Sequence, residues 1–408
     1  MQEKDLIIIR EGNSKFYIYK ADINKIPSKS MSVFYNKRME INRDITSLAI
    51  NTYRKLYNQE NLIIVDSMAA SGIGSIRILE ECQKVEKIII NDINPLAISL
   101  IKKNISLNTL EKSLNQIVIS NLDSTLLLSQ LSLNKYEISD HITHKPNVIS
   151  IDPFGTPNIY LDSAFKAIRN FNGLMCITAT DTAVLFGVKP KACIRKYFSR
   201  PLHNEYCKEI GARILLYFIS RIANINDIGI IPLLTFYSNH FIRIFCLTFK
   251  NKKKISKSFE SYGYIIHCNN CGYRTALQNN IFLIPKRCPL CNKNDNLDYA
   301  GPLWVDAIHN PDFLEEILIT NENFNFHNKN RIKKLISLAL EEVDMPVSYY
   351  NVHKMCRDLK IPYVPKITTL IRLIRDSGSR ISRTHFDFLS IKTDMDLGEL
   401  RELLLKLK

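Results

Sequence analysis

Asp152-Pro153-Phe154-Gly155 closes the apolar run Val148–Ile151, placing an acid, a proline, an aromatic and a glycine in consecutive positions. Asp, Pro and Gly are common turn formers, but a turn alone gives no reason to expose a phenyl ring. The set suits methylation of an exocyclic base amine, a poor nucleophile because its lone pair is delocalised into the ring. A carboxylate and a backbone carbonyl that accept its two N–H groups aim the lone pair at an electrophilic carbon. They also stabilise the charge developing on nitrogen, and the carboxylate takes the released proton. Pro153 fixes the backbone and hence its carbonyl direction, and Phe154 offers a stacking face to an extruded base.

Such a loop needs a scaffold. From residue 62 short apolar runs alternate with helical segments: LIIVD, KIIIND, QIVIS, NVISID and LMCITAT, with GIIPLLTFYS and FIRIFCLTF as later strands. That alternation predicts an α/β fold, a mostly parallel, doubly wound sheet covered on both faces. Ligands of such sheets bind beyond the carboxyl ends of the strands. Asp66 ends the first strand and opens into Ala69-Ala70-Ser71-Gly72-Ile73-Gly74, whose small residues admit a ligand close to the backbone. Asp92 ends the second strand, placed to accept from ribose hydroxyls, and Asp123 follows the third, facing a base edge. The third glycine of the dinucleotide fingerprint is missing, and three acids suit a cationic sulfonium better than a pyrophosphate. S-adenosylmethionine is therefore the expected ligand, and a class I, Rossmann-like methyltransferase the expected fold.

Cys268-x2-Cys271 and Cys288-x2-Cys291 have the spacing of a four-cysteine zinc site, with a hairpin expected between the pairs. Four thiolates leave no open position, so the expected role is structural. The remaining cysteines of the 10, such as Cys82, Cys176 and Cys246, lie in apolar runs and read as core. Beyond them, helices around Ile332–Leu340, Val352–Leu359 and Ile367–Ile374 precede a strand pair in RISRTHFDFLSI, an order that suggests a winged-helix-like tail. Arg372, Arg375, Arg380, Arg383 and Lys392 would line one side of it. A helical cap on the catalytic domain is the alternative.

The net charge of +15 over 408 residues, with a pI near 9.2, favours a polyanionic partner. Lys189, Lys191, Arg195, Lys196 and Arg200 cluster with Tyr197 and Phe198, a mixture suited to phosphate contact and base stacking. Asp181, at the same sheet edge, is a candidate for shaping the base pocket. No run of ~18 apolar residues suggests a membrane span. The N-terminal stretch has only Leu6–Ile9 before Arg10, then a hairpin, and no secretory leader is expected. A cytoplasmic protein, acting as a monomer without membrane contact, is the expectation.

Four longer stretches carry a resemblance: VFYNKRMEINRD, DPFGTPNIYLDSA, TATDTAVLFGVKPKACIRKYFSRPLHNEYCKEIGARIL and SRTHFDFLSIKTD. Together they resemble the archaeal-type tRNA guanine-26 N2-dimethyltransferase family, over roughly residue 5 to the end. The resemblance implies S-adenosylmethionine as methyl donor, tRNA as partner, and N2-methyl- then N2,N2-dimethylguanine as product. It implies Asp152 as catalytic acid, with Pro153 and Phe154 beside it. It implies a cofactor site of Phe34, Arg38, Ser71, Gly72, Gly74, Asp92, Asp123 and Ser124. Gly74 stands where the family is expected to carry an arginine, and Arg77 is the candidate substitute. The domains expected are 1–260, the methyltransferase, and 261–408, a zinc-containing, tRNA-contacting α+β unit. From the residues alone two other readings stay open: an N6-adenine methyltransferase, and a non-catalytic zinc-ribbon and winged-helix nucleic-acid-binding protein.

Overall fold

The computed structural model describes residues 6–22, 31–108, 110–133, 144–278 and 285–407. Residues 1–5, part of the N-terminal stretch read above, and 279–284, part of the expected hairpin, lie outside it.

The N-terminal hairpin pairs β1 (Leu6–Glu11) with β2 (Ser14–Tyr19), antiparallel. Its turn requires glycine: Gly12 has φ +53°, and a Cβ there would stand 2.1 Å from Glu81 Oε1. Helix α1 (Glu40–Leu56) buries Ile41, Ile45, Leu48, Ala49 and Tyr53 along one face at helical spacing. There follow β3 (Leu62–Asp66), α2 (Ile73–Glu81), β4 (Val85–Asn91), α3 (Pro95–Leu107), β5 (Ile117–Ser120), α4 (Ser124–Ser132), β6 (Val148–Ile151), α5 (Asn158–Ala167) and β7 (Leu174–Ala179). Short α6 (Thr182–Leu185) and α7 (Pro190–Tyr197) lead into long α8 (Cys207–Ile225), β8 (Gly229–Ser238) and β9 (Phe241–Phe249).

The seven strands form one sheet in the order β5-β4-β3-β6-β7-β9-β8. The first five are parallel; β9 runs antiparallel to both β7 and β8. Alternate residues of β3 enter opposite cores. Ile63 and Val65 pack with α4 and α5, whereas Leu62 and Ile64 pack with α1 and α2. Burial on both faces is why these strands read as unbroken apolar runs.

After α9 (Lys252–Lys257), a 3-10 turn at Ser258–Ser261 leads to β10 (Tyr262–Cys268), β11 (Arg274–Gln278) and β12 (Leu297–Trp304), an antiparallel sheet in the order β11-β10-β12. The chain then returns to the first unit. Phe313, Leu314 and Ile317 of α10 (Pro311–Glu322), with Ile332 and Ile336 of α11 (Lys329–Glu341), join the core that holds the α1 face. Lys55 pairs with Glu316 at 2.7 Å, and Asn328 donates to Asp44 at 2.9 Å.

The tail adds β13 (Tyr350–Asn351), α12 (Val352–Asp358), α13 (Ile367–Asp376), β14 (Ile381–Arg383), β15 (Ser390–Thr393) and α14 (Leu397–Lys406). Its sheet runs β13-β15-β14 around a small core that includes Leu370, Ile374, Ile391 and Leu400. Among the described residues no helix is long and apolar enough to cross a membrane.

Candidate active site

A cavity of about 460 Å³ opens at the carboxyl edge of β3, β4, β5 and β6, where the strand order reverses. One wall is the loop after β3. Ala70 and Gly72 both adopt left-handed backbone, φ +49° and +76°. A Cβ at Gly72 would come 2.9 Å from Ile101, so only glycine turns here without displacing α3. Asp92 braces the turn: its Oδ2 accepts from Ala70 N–H at 2.8 Å and its Oδ1 from Asn94 N–H at 2.9 Å. Asp123 caps α4 through Oδ1, which accepts from Thr125 and Leu126 N–H. Ser124 gives its hydroxyl proton to Ser67 carbonyl at 2.6 Å, so it is buried as a fastener of two loops. Ser71, Gly74, Asp92, Asp123 and Ser124 all line the cavity.

The opposite wall carries Asp152, Pro153 and Phe154, with Phe34 reaching over from the segment before α1. Phe34 and Phe154 meet edge to face, ring centroids 4.4 Å apart, and Phe154 keeps 43% of its surface exposed. Asn42 Nδ2 donates to Asp152 Oδ2 at 3.2 Å. Burial raises the Asp152 carboxyl above its usual range, against the opposing pull of the nearby Arg243 cation and the Thr178 hydroxyl. Asp66 lines the same cavity; burial pushes it up to about 6, against a 2.6 Å hydrogen bond from Ser75 Oγ.

Asn42 and Arg243 escape the sequence reading. Arg243 is 1% exposed and sits in the apolar run FIRIFCLTF; a cation inside a buried strand is itself the missed signal. Asn42 is 3% exposed, in the first turn of α1, one of several buried polar residues on that helix, with Asp44, Thr46 and Ser47.

Several expected residues stand elsewhere. Arg77 does not line the cavity: α2 turns its guanidinium into a carboxylate cluster. There it meets Asp44 at 2.6 Å, Glu81 at 2.9 Å and Glu11 at 3.7 Å, fully buried. No arginine therefore substitutes for Gly74 from that position. Arg38 is exposed and does not line the cavity; its backbone N–H is held by Asn36 Oδ1 and its carbonyl accepts from Asn239.

In the basic stretch, Lys189, Lys191 and Arg195 are exposed, as is Phe198, at 80%. Tyr197 is fully buried and donates to Asp181 at 2.7 Å, so it cannot stack on a base. Asp181 also holds Lys196 at 3.2 Å and does not line the cavity. Arg200 pairs with Asp298 at 2.6 Å and lies over the Tyr299 ring, joining the first unit to β12. In the tail Arg372 and Arg375 are exposed on α13, and half-buried Arg383 donates to Phe388 carbonyl. Lys392 does not line that surface. It is 1% exposed, held by Glu209 at 2.8 Å and Glu342 at 3.3 Å.

Cys268, Cys271, Cys288 and Cys291 converge, their sulfurs all within 4.8 Å of one another. Cys268 Sγ lies 3.8 Å from Cys291 Sγ, and Cys271 Sγ 3.5 Å from Cys288 Sγ. These are too long for disulfides. They approach the ~3.8 Å edge of a tetrahedron with metal–sulfur bonds of ~2.3 Å. His309, Glu342 and His385 also cluster. There, however, Thr235 N–H points at His309 Nδ1, so the ring proton sits on Nε2, towards Glu342, and Lys392 supplies the cation. That group is an ion-pair cluster, not a metal centre.

A seven-stranded sheet with its last strands antiparallel, carrying a carboxyl-edge cavity lined by strand-end acids, is the architecture of a class I methyltransferase. Sequence comparison narrows this further. The profile of the N2,N2-dimethylguanosine tRNA methyltransferases matches residues 12–405, and the chain belongs to that family. It is 37% identical over 404 residues to the tRNA (guanine(26)-N(2))-dimethyltransferase of Methanosphaera stadtmanae, covering 99% of this chain and 98% of that one. The enzyme of the same name from Methanobrevibacter smithii is 34% identical over 99% of this chain and 98% of its own. Trm1 from Pyrococcus horikoshii, solved with S-adenosyl-L-methionine, superposes with a TM-score of 0.81 at 30% identity. The match covers 97% of this chain and 99% of that one.

Proposed function

We propose that the protein transfers methyl groups from S-adenosylmethionine to the exocyclic N2 of guanine 26 in tRNA, once and then again, with Asp152 receiving the proton that nitrogen loses. The observation that carries the assignment of Asp152 is its place: a carboxylate at the cavity wall, oriented by Asn42 and bordered by an exposed phenyl ring. Bound S-adenosylmethionine supplies a methyl group on a positively charged sulfur. The residues that would hold it are those of the opposite wall, Ser71, Gly74, Asp92, Asp123 and Ser124, on the loop that Gly72 turns. Asp92 and Asp123 each retain oxygen lone pairs after bracing their loops.

The accepted guanine would lie against Phe154, with Phe34 as the second aromatic wall. Asp152 and the Pro153 carbonyl would accept the two N2–H groups and direct the lone pair to the methyl. As the N–CH3 bond forms and the S–CH3 bond breaks, one proton passes to Asp152. N6 of adenine would suit the same acceptor pair; family membership favours guanine N2. A carboxylate at the cavity wall beside an exposed phenyl ring argues against a purely binding protein.

Zinc fits the four cysteines, whose sulfurs already have near-tetrahedral spacing. Its role there is structural. The order helix, strand, helix, helix, strand, strand from α11 to β15 is that of a winged helix, with α13 in the recognition position. Arg372 and Arg375 on α13, with Lys189, Lys191 and Arg195, are the cations proposed to meet tRNA phosphates. The setting that fits this work is the cytoplasm, with the protein acting as a monomer.

The test pairs two measurements on Asp152→Ala. Methylated nucleosides from treated tRNA should fall by on the order of 10²-fold or more, while calorimetric affinity for S-adenosylmethionine stays near wild type. Near-normal turnover would remove Asp152 from the reaction.

A further inference from the structure

We infer that Arg243 and Thr178 form a buried relay that holds Asp152 anionic and oriented, making both of them positioning residues for methyl transfer. The inference rests on the reading of Asp152 as the proton acceptor.

Arg243 on β9 and Thr178 on β7 are opposite one another in the antiparallel ladder, and both are buried. Arg243 Nη1 donates to Thr178 Oγ1 at 2.6 Å. A guanidinium can only donate, so Thr178 uses a lone pair here and keeps its own hydroxyl proton free. In the parallel β6–β7 register Ile151 lies opposite Ile177, so Asp152 and Thr178 follow as neighbours, and this free proton is the one assigned to the carboxylate. The other amino group, Arg243 Nη2, donates to Thr46 Oγ1 at 3.1 Å and Ser150 Oγ at 3.4 Å. Thr46 passes its proton to Asn42 carbonyl at 2.7 Å, and Asn42 Nδ2 holds the other side of Asp152. One cation therefore anchors both Asn42, the donor to Asp152 from α1, and Thr178, the neighbour of Asp152 on β7. Neither route leaves a proton acceptor behind the carboxylate, so a proton taken from substrate remains on Asp152 until it leaves through the cavity.

Among the described residues, the charged or titratable groups that act most on Asp152 are Arg243 from β9, Arg43 from α1, His240 from the turn between β8 and β9, and Asp66 from β3. Arg43 is engaged by Glu11 at 2.7 Å. His240 is held neutral. Asn36 Oδ1 accepts from Arg38 N–H, so Asn36 must present Nδ2 to His240 Nε2, which accepts at 3.1 Å. Arg243 makes no such ion pair among the described residues, and its charge is left to Asp152 and Asp66.

The decisive variant is Thr178→Val, which keeps the β-branched shape and removes only the hydroxyl. Loss of a donor to the ionised form raises the acid's pKa, so the acid limb of kcat/KM for tRNA should move up by about one pH unit. Thr178→Ser should restore the wild-type limb. S-adenosylmethionine affinity should be unchanged in both, and thermal unfolding should show both folded. Activity falling equally at every pH in Thr178→Val, or a wild-type profile, overturns the relay. Asp152→Ala is run beside them. If it retains turnover, the reading of Asp152 fails; if it is inactive while the limb stays put, only the relay fails.

Discussion

Lys392 Nζ lies 2.8 Å from Glu209 Oε1, and each side chain is 1% exposed. This contact joins the tail strand β15 to α8 of the methyltransferase sheet. Glu342, 3.3 Å away on the other side, extends the group to His385, and Arg213 pairs with Glu209 at 2.9 Å. Lys392→Met would leave two buried carboxylates short of a partner. We expect a loss of ~3–5 kcal/mol, read as a lower melting temperature, because removing one member of a buried pair strands the others.

The same interface makes stability fall with acid. Burial lowers His309 to about 4. An unfolded histidine takes its proton near pH ~6.5, so below that pH the unfolded chain binds more protons. The stabilisation is complete above pH ~6.5 and is lost as the pH falls towards about 4. Glu342, held well below its usual value by His385 and Lys392, continues the loss at still lower pH. His309→Asn, which keeps an acceptor for Thr235 N–H, should flatten the slope of melting temperature between pH 7 and 5. An unchanged slope would discharge His309 from it.

Asp92→Ala should weaken S-adenosylmethionine binding by about 1–3 kcal/mol, as a lost acceptor leaves buried donors unpaired. Because Asp92 also braces Ala70 and Asn94, some loss of thermal stability should accompany it. Calorimetry showing unaltered affinity would take Asp92 out of the site.

One zinc per chain is expected from elemental analysis of unchelated protein, and Cys291→Ser should reduce it. Chelation should loosen the tail as well as the knuckles. Arg401 of α14 donates to Cys271 carbonyl, and Arg274 bridges Tyr349 carbonyl and Glu205. The melting transition should therefore shift down on metal removal. Substoichiometric metal in fresh protein contradicts the assignment.

Reversing Arg372 and Arg375 together, each to Glu, should weaken tRNA binding and flatten its salt dependence, leaving S-adenosylmethionine affinity alone. Wild-type affinity and salt slope in the double variant would reduce the tail to a cap on the catalytic domain.

What was legible in the sequence followed local rules. Buried β-branched runs ending in acids gave the sheet edge, the loop from Ala69 to Gly74 gave one cavity wall, and the cysteine spacing gave the four-sulfur cluster. What was missed depends on which way a side chain turns. Arg77 and Arg243 are both arginines in apolar helices or strands, yet α2 turns one into a carboxylate cluster and β9 turns the other beneath Asp152. Tyr197 and Phe198 are neighbours with opposite fates, because the backbone at Phe198 flips to φ +53° as α7 ends. Nor does spacing tell that Lys392, unlike Arg372, faces inward.

The return of α10 to the face of α1 has a consequence for how the protein is made. Thr52 and Thr320, which meet across that contact, are 268 residues apart. At ribosomal speeds of ~5–20 residues per second, α1 waits roughly 10–50 s for its partner. Asn42 and Arg43, both at the cavity, belong to the waiting helix. A nascent chain therefore holds the strand-end acids from Asp66 to Asp152 well before α10 covers the helix that carries Asn42 and Arg43. A chain ended before α10 would leave the face of α1 that carries Thr52 uncovered.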